Sequence, residues 1–320
     1  MRLSTTADAG GLPSMNLRSA AMEYSTWIIL LAMLVVGSLV TPLFLTVANL
    51  VDVLQQSAII GVLAIGQFLV ILTGGIDLSV GSVLALSAML SSLCIRFGLD
   101  PLIAMLAATV GCGVFGAGSG IAIAKGNLPP FIVTFAMMAI TRGISLTLTS
   151  GGPVNLPPSW FLSLGQGLWP EAIWAIVAAL IYVLLVKLPI GRHIYASGGN
   201  VDAAQVSGIN TTKIYVLVYV LSGVCAAIGG FIFAARSTVA LPTYGVGYEL
   251  QTIAACVLGG TDLFGGIGKL SGVVLGVIIL TLLSNILDLA GVNPFWNFIA
   301  IGLALWISVG FRSRLATKER

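Results

Sequence analysis

The chain has 320 residues, 58% of them hydrophobic and 8% charged, and its mean hydropathy is +1.08. A soluble globule usually carries about 25% charged residues, so this composition excludes one and points to an integral membrane protein. Net charge is only +3, and the placement of the charges says more than their sum.

The first residues are rich in Ser, Thr and Gly, with Arg2, Asp8 and Arg18 among them. No short apolar core with a small-residue cleavage site follows, so residues 1–24 read as a cytosolic tail and not as a signal peptide. A membrane-crossing helix needs about 20 apolar residues. The hydropathy pattern places spans near 25–45, 57–73, 80–96, 101–124, 130–149, 169–187, 214–235, 249–260, 270–288 and 295–311. None shows period-2 alternation, so helices fit and a β-barrel does not. The segment 249–260 is too short to cross alone and reads as a half-helix or one end of a bent span.

Two segments along this path look alike. Ala64–Ser87 contains GGIDLSVGSVLAL, and Ala254–Leu275 contains GGTDLFGGIGKLSGVVL. Each is an apolar helix, then Gly-Gly-x-Asp-Leu, then a glycine-broken restart. Either this is chance similarity in a glycine-rich chain, or it is a repeat whose broken helices meet at a translocation interface. Asp77 and Asp262 follow the double glycines. They either cap the restarting helices or offer buried carboxylates to a solute hydroxyl or a proton. Capping is the plainer reading.

Gly111-x-Gly113-x-x-Gly116 matches a dinucleotide pattern but lies inside an apolar span with no preceding strand, so it is helix packing. Gly116-x-x-x-Gly120 and Gly268-x-x-x-Gly272-x-x-x-Gly276 are small-residue faces for close helix approach. Arg142 lies near the middle of its span, where insertion costs about 2.5–3.5 kcal/mol or more. It must face a polar cavity, pair with an acid, for which Asp77 is a chemical match, or bond carbonyls freed where a helix breaks. Gln67, Asn127, Phe131, Asn285 and Trp296 are further polar or aromatic groups at span centres or ends. With Asp77 and Arg142, the first four and Trp296 are candidates to line a path for a hydroxyl-rich solute.

Lys187–Lys213 is a polar, basic interruption between two apolar segments. Within it Asn200 suits an N-cap, Asp202 sits in the first turn where the helix dipole favours an acid, and Gly208 suits the position after the C-cap. Residues 200–208 therefore read as a short capped helix, a docking surface for another protein. Ten spans place both termini on one side. If that side is the cytoplasm, Arg2, Arg18, Lys125, Lys187, Arg192, Lys213, Lys269, Arg312, Arg314, Lys318 and Arg320 are internal, whereas Arg96 and Arg236 are external. The uncharged loop 150–168 is external too. This positive-inside bias puts 187–213 and the basic tail 312–320 in the cytoplasm, and the sequon at Asn210 is discounted for that reason.

Gly268-Lys269 fails as a phosphate loop, because Leu263 replaces the first glycine and Leu270 follows the lysine. Any energy from ATP must arrive through a partner. Cys94, Cys112, Cys225 and Cys256 form no C-x-x-C pair, and His193 has no acid or thiol cluster, so no metal site is expected. No Ser–His–Asp set, H-E-x-x-H or carboxylate pair supports catalysis.

Taken together, Gly74–Ser82 (GGIDLSVGS), Asn127–Thr134 (NLPPFIVT), Thr141-Arg142-Gly143, Gly198–Ile209 (GGNVDAAQVSGI) and Tyr248–Gly268 resemble the inner-membrane permeases of ribose-type sugar ABC importers, within the branched-chain amino acid/ribose permease superfamily. The resemblance runs from about residue 25 to 311. It implies an all-α polytopic membrane protein of about ten helices, some broken, similar to the cobalamin importer permease. It implies a permease domain at 25–311 in the bacterial inner membrane, working with a second permease copy or paralogue. Cytosolic ABC ATPases holding ATP and Mg would drive it, and a periplasmic sugar-binding protein would feed it. The loop 187–213 would supply the ATPase-coupling helix, with Gly199, Asn200, Asp202, Ala203, Ala204, Ser207 and Gly208 at the contact. This chain itself would bind no cofactor. One departure is that Gly118-Ser119-Gly120 stands where relatives carry Asn-Gly, which puts sugar contact there in doubt. The reading from a different class is an ion-coupled secondary transporter, for which Asp77, Asp262 and Asp288 are the available intramembrane acids.

Overall fold

A computed structural model describes residues 17–317 of the chain. Residues 1–16 and 318–320, and with them Arg2, Lys318 and Arg320, lie outside the described residues. The fold is all-α, with twelve helices among the described residues: α1 (Leu17–Val40), α2 (Val47–Leu72), α3 (Val80–Arg96), α4 (Pro101–Gly126), α5 (Pro130–Thr147), α6 (Trp169–Val186), α7 (Pro189–Gly199), α8 (Val201–Val206), α9 (Thr211–Ser237), α10 (Tyr248–Leu258), α11 (Leu270–Leu289) and α12 (Trp296–Thr317). Six of them, α2, α4, α5, α6, α9 and α11, are long and apolar enough to cross a membrane. Shorter apolar helices or stretches lie in α1, α3, α10 and α12. Each expected span coincides with a helix, and the short eighth one is the eleven-residue α10. Helix α1 begins within the expected N-terminal tail, and α12 continues into the expected basic tail.

Burial sorts the helices into an inner and an outer layer. From Ser57 to Leu72 every residue of α2 is buried, as a helix apolar on all sides should be when neighbours surround it. α9, α11, α6 and α10 pack around it. α4 instead turns Leu102, Ile103, Leu106, Val110 and Val114 outward, an apolar face fit for lipid.

The loop between α5 and α6 is held by a two-residue antiparallel ribbon, β1 (Val154–Asn155) on β2 (Val239–Ala240), and by a 3-10 helix at Trp160–Gly165. This cap sits at the far end of α9 from α7 and α8. Arg236, in the last turn of α9, pairs with Asp52 and donates to Gln55, tying the start of α2 into the same end.

The small-residue faces do what their spacing suggests, except that Gly268 lies in the loop before α11, against the Phe68 ring. On α4, Gly116 and Gly120 lie against the backbone of α9 at Tyr219 and Val216. On α11, Gly272 and Gly276 lie against the carbonyls of Gly259 and Ala255 of α10. A side chain at Gly276 would meet the Ala255 carbonyl, a backbone atom that cannot swing aside. Gly276→Leu is therefore expected to destabilise the protein by about 1–3 kcal/mol, read as a lower melting temperature in detergent. Gly302→Leu in α12, where a Cβ meets nothing, should leave it unchanged.

The two Gly-Gly-x-Asp-Leu segments share a local geometry and then part. Each ends its helix with an N–H bonded back five residues, Gly75 to Val70 and Thr261 to Cys256, which is the Schellman closure. In each, the aspartate Oδ1 accepts the N–H two residues on, at 2.9 Å in both. After Asp77, α3 restarts at Val80. After Asp262 a glycine-rich loop runs to Lys269, the N-cap of α11. Asp262 therefore shapes a turn and does not cap α11. Asp77 acts one step ahead of α3, whose N-cap is Ser79.

Candidate functional site

Three polar constructions interrupt the apolar bundle. The first is built around Asp77. Its carboxylate is buried and accepts from the Ser79 N–H at 2.9 Å, the Ser79 hydroxyl at 2.6 Å and the Ser222 hydroxyl of α9 at 2.8 Å. The Gln67 side chain, oriented so that both of its ends are satisfied, donates to the Asp77 carbonyl at 2.8 Å and accepts its N–H at 3.2 Å. Just beyond, Ser82 and Thr141 share a 2.7 Å hydroxyl bond that ties α3 to α5, and Thr134 donates to the Ile76 carbonyl at 3.1 Å. The break between α2 and α3 is thus pinned on two sides, by α9 and by α5.

This makes Asp77 a structural anchor in the state described. Asp77→Ala leaves three donors unmatched, at about 1–3 kcal/mol each. It is expected to destabilise by at least about 3 kcal/mol, while Ser222→Ala, which removes one donor, costs less. Thermal unfolding of the purified variants orders the two.

The second construction is Arg142. Its guanidinium donates to the carbonyls of Pro242 and of Tyr244, the latter at 2.8 Å. These belong to the irregular connection between β2 and α10, whose carbonyls have no helix to satisfy them. Of the three roles the sequence allows, bonding carbonyls at a helix break is the observed one. The acid that interacts electrostatically with Arg142 is Glu249 of α10, and no ion pair joins Arg142 to Asp77. Chemistry alone matched Arg142 with Asp77 because both are intramembrane ions. The chain path instead delivers Asp77 to Ser222 and Arg142 to the 242–244 turn. Glu249 also accepts the Gly247 N–H at 3.2 Å, so the turn is held from both sides.

The remaining path candidates are dispersed. Gln67 is fully buried in α2. Asn285 pairs with Asn49 through two amide bonds of 2.7 and 3.0 Å, joining α11 to the start of α2. Asn127 is exposed and left-handed (φ 49°) at the end of α4. Phe131 is exposed and stacked on Phe135, with ring centroids 6.3 Å apart, and Trp296 is exposed at the start of α12. These side chains lie on five different helices or their ends: α2, α11, α4, α5 and α12.

The third construction is the 187–213 segment, which holds two helices. The sequence reading missed α7, although Pro189 at its first turn marks the start. α8 is capped at both ends. The Asn200 Oδ1 accepts the Ala203 N–H at 2.9 Å, and Gly208, at φ 84°, lets Ile209 N–H reach back to the Ala204 carbonyl at 3.0 Å. Asp202, Ala203, Ser207 and Gly208 face outward with Gly199 and Asn200, and Ala204 does not: it is 4% exposed. Helical spacing turns Ala204 inward when Ala203 and Val206 point out. Val206, which the sequence reading passed over, is 91% exposed.

α7 connects this outer helix to the bundle. Tyr195 donates to the Gly268 carbonyl at 2.9 Å. A Cβ at Gly198 would run into the Leu72 carbonyl, and the same carbonyl accepts the Gly266 N–H at 2.9 Å. α7 therefore rests at once on the end of α2 and on the loop before α11, which are the two Gly-Gly-x-Asp-Leu breaks. Only Asn200 separates α7 from α8.

Among the described residues no group of three or more His, Cys, Asp or Glu side chains is placed to hold a metal ion. The four cysteines are free thiols, all but Cys94 buried.

Comparison with known proteins gives this architecture a family. Residues 49–309 match the family model described as branched-chain amino acid transport system / permease component. The chain is 40% identical over 298 residues to the ribose import permease protein RbsC of Escherichia coli (strain K12), covering 90% of this chain and 92% of that one. It is 41% identical over 287 residues to RbsC of Bacillus subtilis (strain 168), covering 88% and 89%. It is 35% identical over 303 residues to the D-allose transport system permease protein AlsC of Escherichia coli (strain K12), covering 92% and 93%. No solved structure matches the chain.

Proposed function

The chain belongs to the branched-chain amino acid transport system permease family, and from that membership we propose that it is the membrane-spanning subunit of an ATP-driven ABC importer for a ribose-like monosaccharide. The observation that carries this is identity of about two residues in five to ribose permeases along nine-tenths of the chain. The alternative, an ion-coupled secondary transporter, needs an intramembrane acid free to titrate. Asp77 accepts three internal hydrogen bonds, Asp262 shapes a turn and Asp288 is exposed in the last turn of α11, which supports the ABC reading.

In this reading both termini and the α7–α8 unit lie in the bacterial cytoplasm. A partner ABC ATPase holds ATP and Mg and performs the hydrolysis, and this chain binds no nucleotide. A second permease copy completes the pathway, and a periplasmic sugar-binding protein delivers solute to the face carrying the β1–β2 cap. Path residues such as Phe131 and Asn127, exposed on one protomer, then gain a second wall from the partner copy. ATP binding and sugar delivery favour different arrangements of one bistable bundle. α8 takes the ATPase movement, and α7 transmits it to the breaks at Leu72–Asp77 and Gly259–Lys269.

The test is uptake of labelled ribose, allose and arabinose in a strain deleted for this chain and complemented with it. Restored, ATP-dependent uptake of at least one of these sugars is the expected result. Reconstituted uptake that follows a proton gradient without ATP or partner subunits would sink the assignment.

A further inference from the structure

A groove of about 620 Å³ opens between the end of α4 and the start of α9. The two helices touch backbone to backbone at Gly116 and Gly120, and the groove runs alongside that contact, with Val216 and Val220 in its wall. Lys125, Asn210, Thr212 and Lys213 line its end nearest α8, and Ile121 and Leu217 line it one turn further along each helix. It is polar and cationic at the end nearest α8 and apolar further along the two helices.

Both lysines are exposed, and neither makes an ion pair among the described residues. Lys125 sits in the last turn of α4, where its charge suits the helix's negative end. Lys213 is placed differently. It occupies the first turn of α9, the positive end of a 27-residue helix that carries no acid there, so helix dipole and side chain repel. Asn210 caps this end by accepting the Lys213 N–H at 3.0 Å, and an anion beside the exposed ammonium would relieve the remaining repulsion. A basic pocket between membrane helices, placed at headgroup depth with an apolar extension, is the chemistry of an anionic lipid site.

We propose that this groove binds one anionic diacyl phospholipid of the phosphatidylglycerol type. The phosphate lies between Lys125 and Lys213, the headgroup hydroxyls meet Asn210 and Thr212, and an acyl chain runs along Ile121 and Leu217. The site is independent of which solute the protein carries.

The experiment is native mass spectrometry of the full chain released from nanodiscs of phosphatidylcholine with phosphatidylglycerol, paired with melting temperatures in those discs and in discs of phosphatidylcholine alone. The wild type is expected to retain phosphatidylglycerol and to melt higher when it is present. A lysine near the membrane surface is worth about fivefold in anionic-lipid affinity, so Lys125→Gln with Lys213→Gln should cut retention about 25-fold and abolish the lipid-dependent melting shift. Ile121→Trp, which fills the apolar part and leaves the charges, should also reduce retention. Lys187→Gln, a lysine outside the groove, should not.

Equal loss in Lys187→Gln would mean diffuse surface charge and would overturn the site. So would unchanged retention in the double variant. Displacement of the lipid by inorganic phosphate would identify a free-anion site instead, and intact retention with lost ATPase assembly would assign the lysines to a protein partner. If the double variant does not fold, the wild type alone decides, since no retention and no melting shift would end the proposal.

Discussion

Arg142→Leu is expected to lower the melting temperature of the purified protein by roughly 6–12 °C and to abolish solute uptake. The guanidinium donates to two carbonyls of the turn before α10. Hydrogen bonds from a charged donor are worth about 1.5–3 kcal/mol each, so about 3–6 kcal/mol is at stake in the native state. A second effect has the same sign. In the inserted but unfolded chain the arginine faces hydrocarbon, at a cost of about 2.5–3.5 kcal/mol on insertion scales, and leucine relieves that cost. The native state loses bonds while its competitor gains stability. Both bonds leave the same guanidinium nitrogen, so Arg142→Lys, which keeps the charge and a single donor nitrogen on a shorter stem, should fall between wild type and leucine. Glu249→Gln removes only the neighbouring charge and should cost least. A Leu variant that melts and transports like wild type would show that the 242–244 turn holds without its clamp.

The membrane architecture was legible because its cause is local. A run of apolar residues that must satisfy its own backbone in lipid has to be helical, and each expected span is a helix. The α8 caps were legible for a similar reason, since Asn200, Asp202 and Gly208 act within a few residues of one another. What stayed hidden depends on long-range contact. Nothing near Asp77 in sequence points to Ser222, which is 145 positions away. Nothing near Arg142 points to the carbonyls of Pro242 and Tyr244. The same limit explains the path residues. Gln67, Asp77 and Asn285 are polar groups in apolar helices, as a solute path requires, but each is consumed by internal hydrogen bonds. The sequence cannot separate a polar residue that greets a solute from one that locks two helices. Asn127, Phe131 and Trp296, all exposed, are the members of that set still open to a ligand.

Val206→Asp is expected to reduce ATP-driven uptake by about 30-fold or more while the protein inserts, folds and melts as wild type. The separation of these two readouts follows from the packing of α8. Val206 is 91% exposed and contributes little to the protomer's own core, so a charge there stays in water when no partner is bound. Docked in a cleft of the ATPase, the same side chain becomes desolvated. Loss of a central apolar anchor costs about 2 kcal/mol or more, which is about 30-fold in affinity, and a buried unpaired carboxylate adds to it. Ala203→Asp, on the same outward face, should act in the same direction. Ala204→Asp should differ in kind. Ala204 is 4% exposed, so the carboxylate has to enter the packed side of α8, and both folding and transport should fall together. A third variant locates the transmission. Gly198→Ala leaves the docking face untouched but forces α7 away from the Leu72 carbonyl and the Gly266 N–H. The ATPase should still bind, yet its hydrolysis should lose its dependence on solute delivery. If Val206→Asp and Ala203→Asp transport normally, α8 is not where the ATPase engages. If Gly198→Ala keeps full coupling, the movement reaches the bundle by a route other than α7.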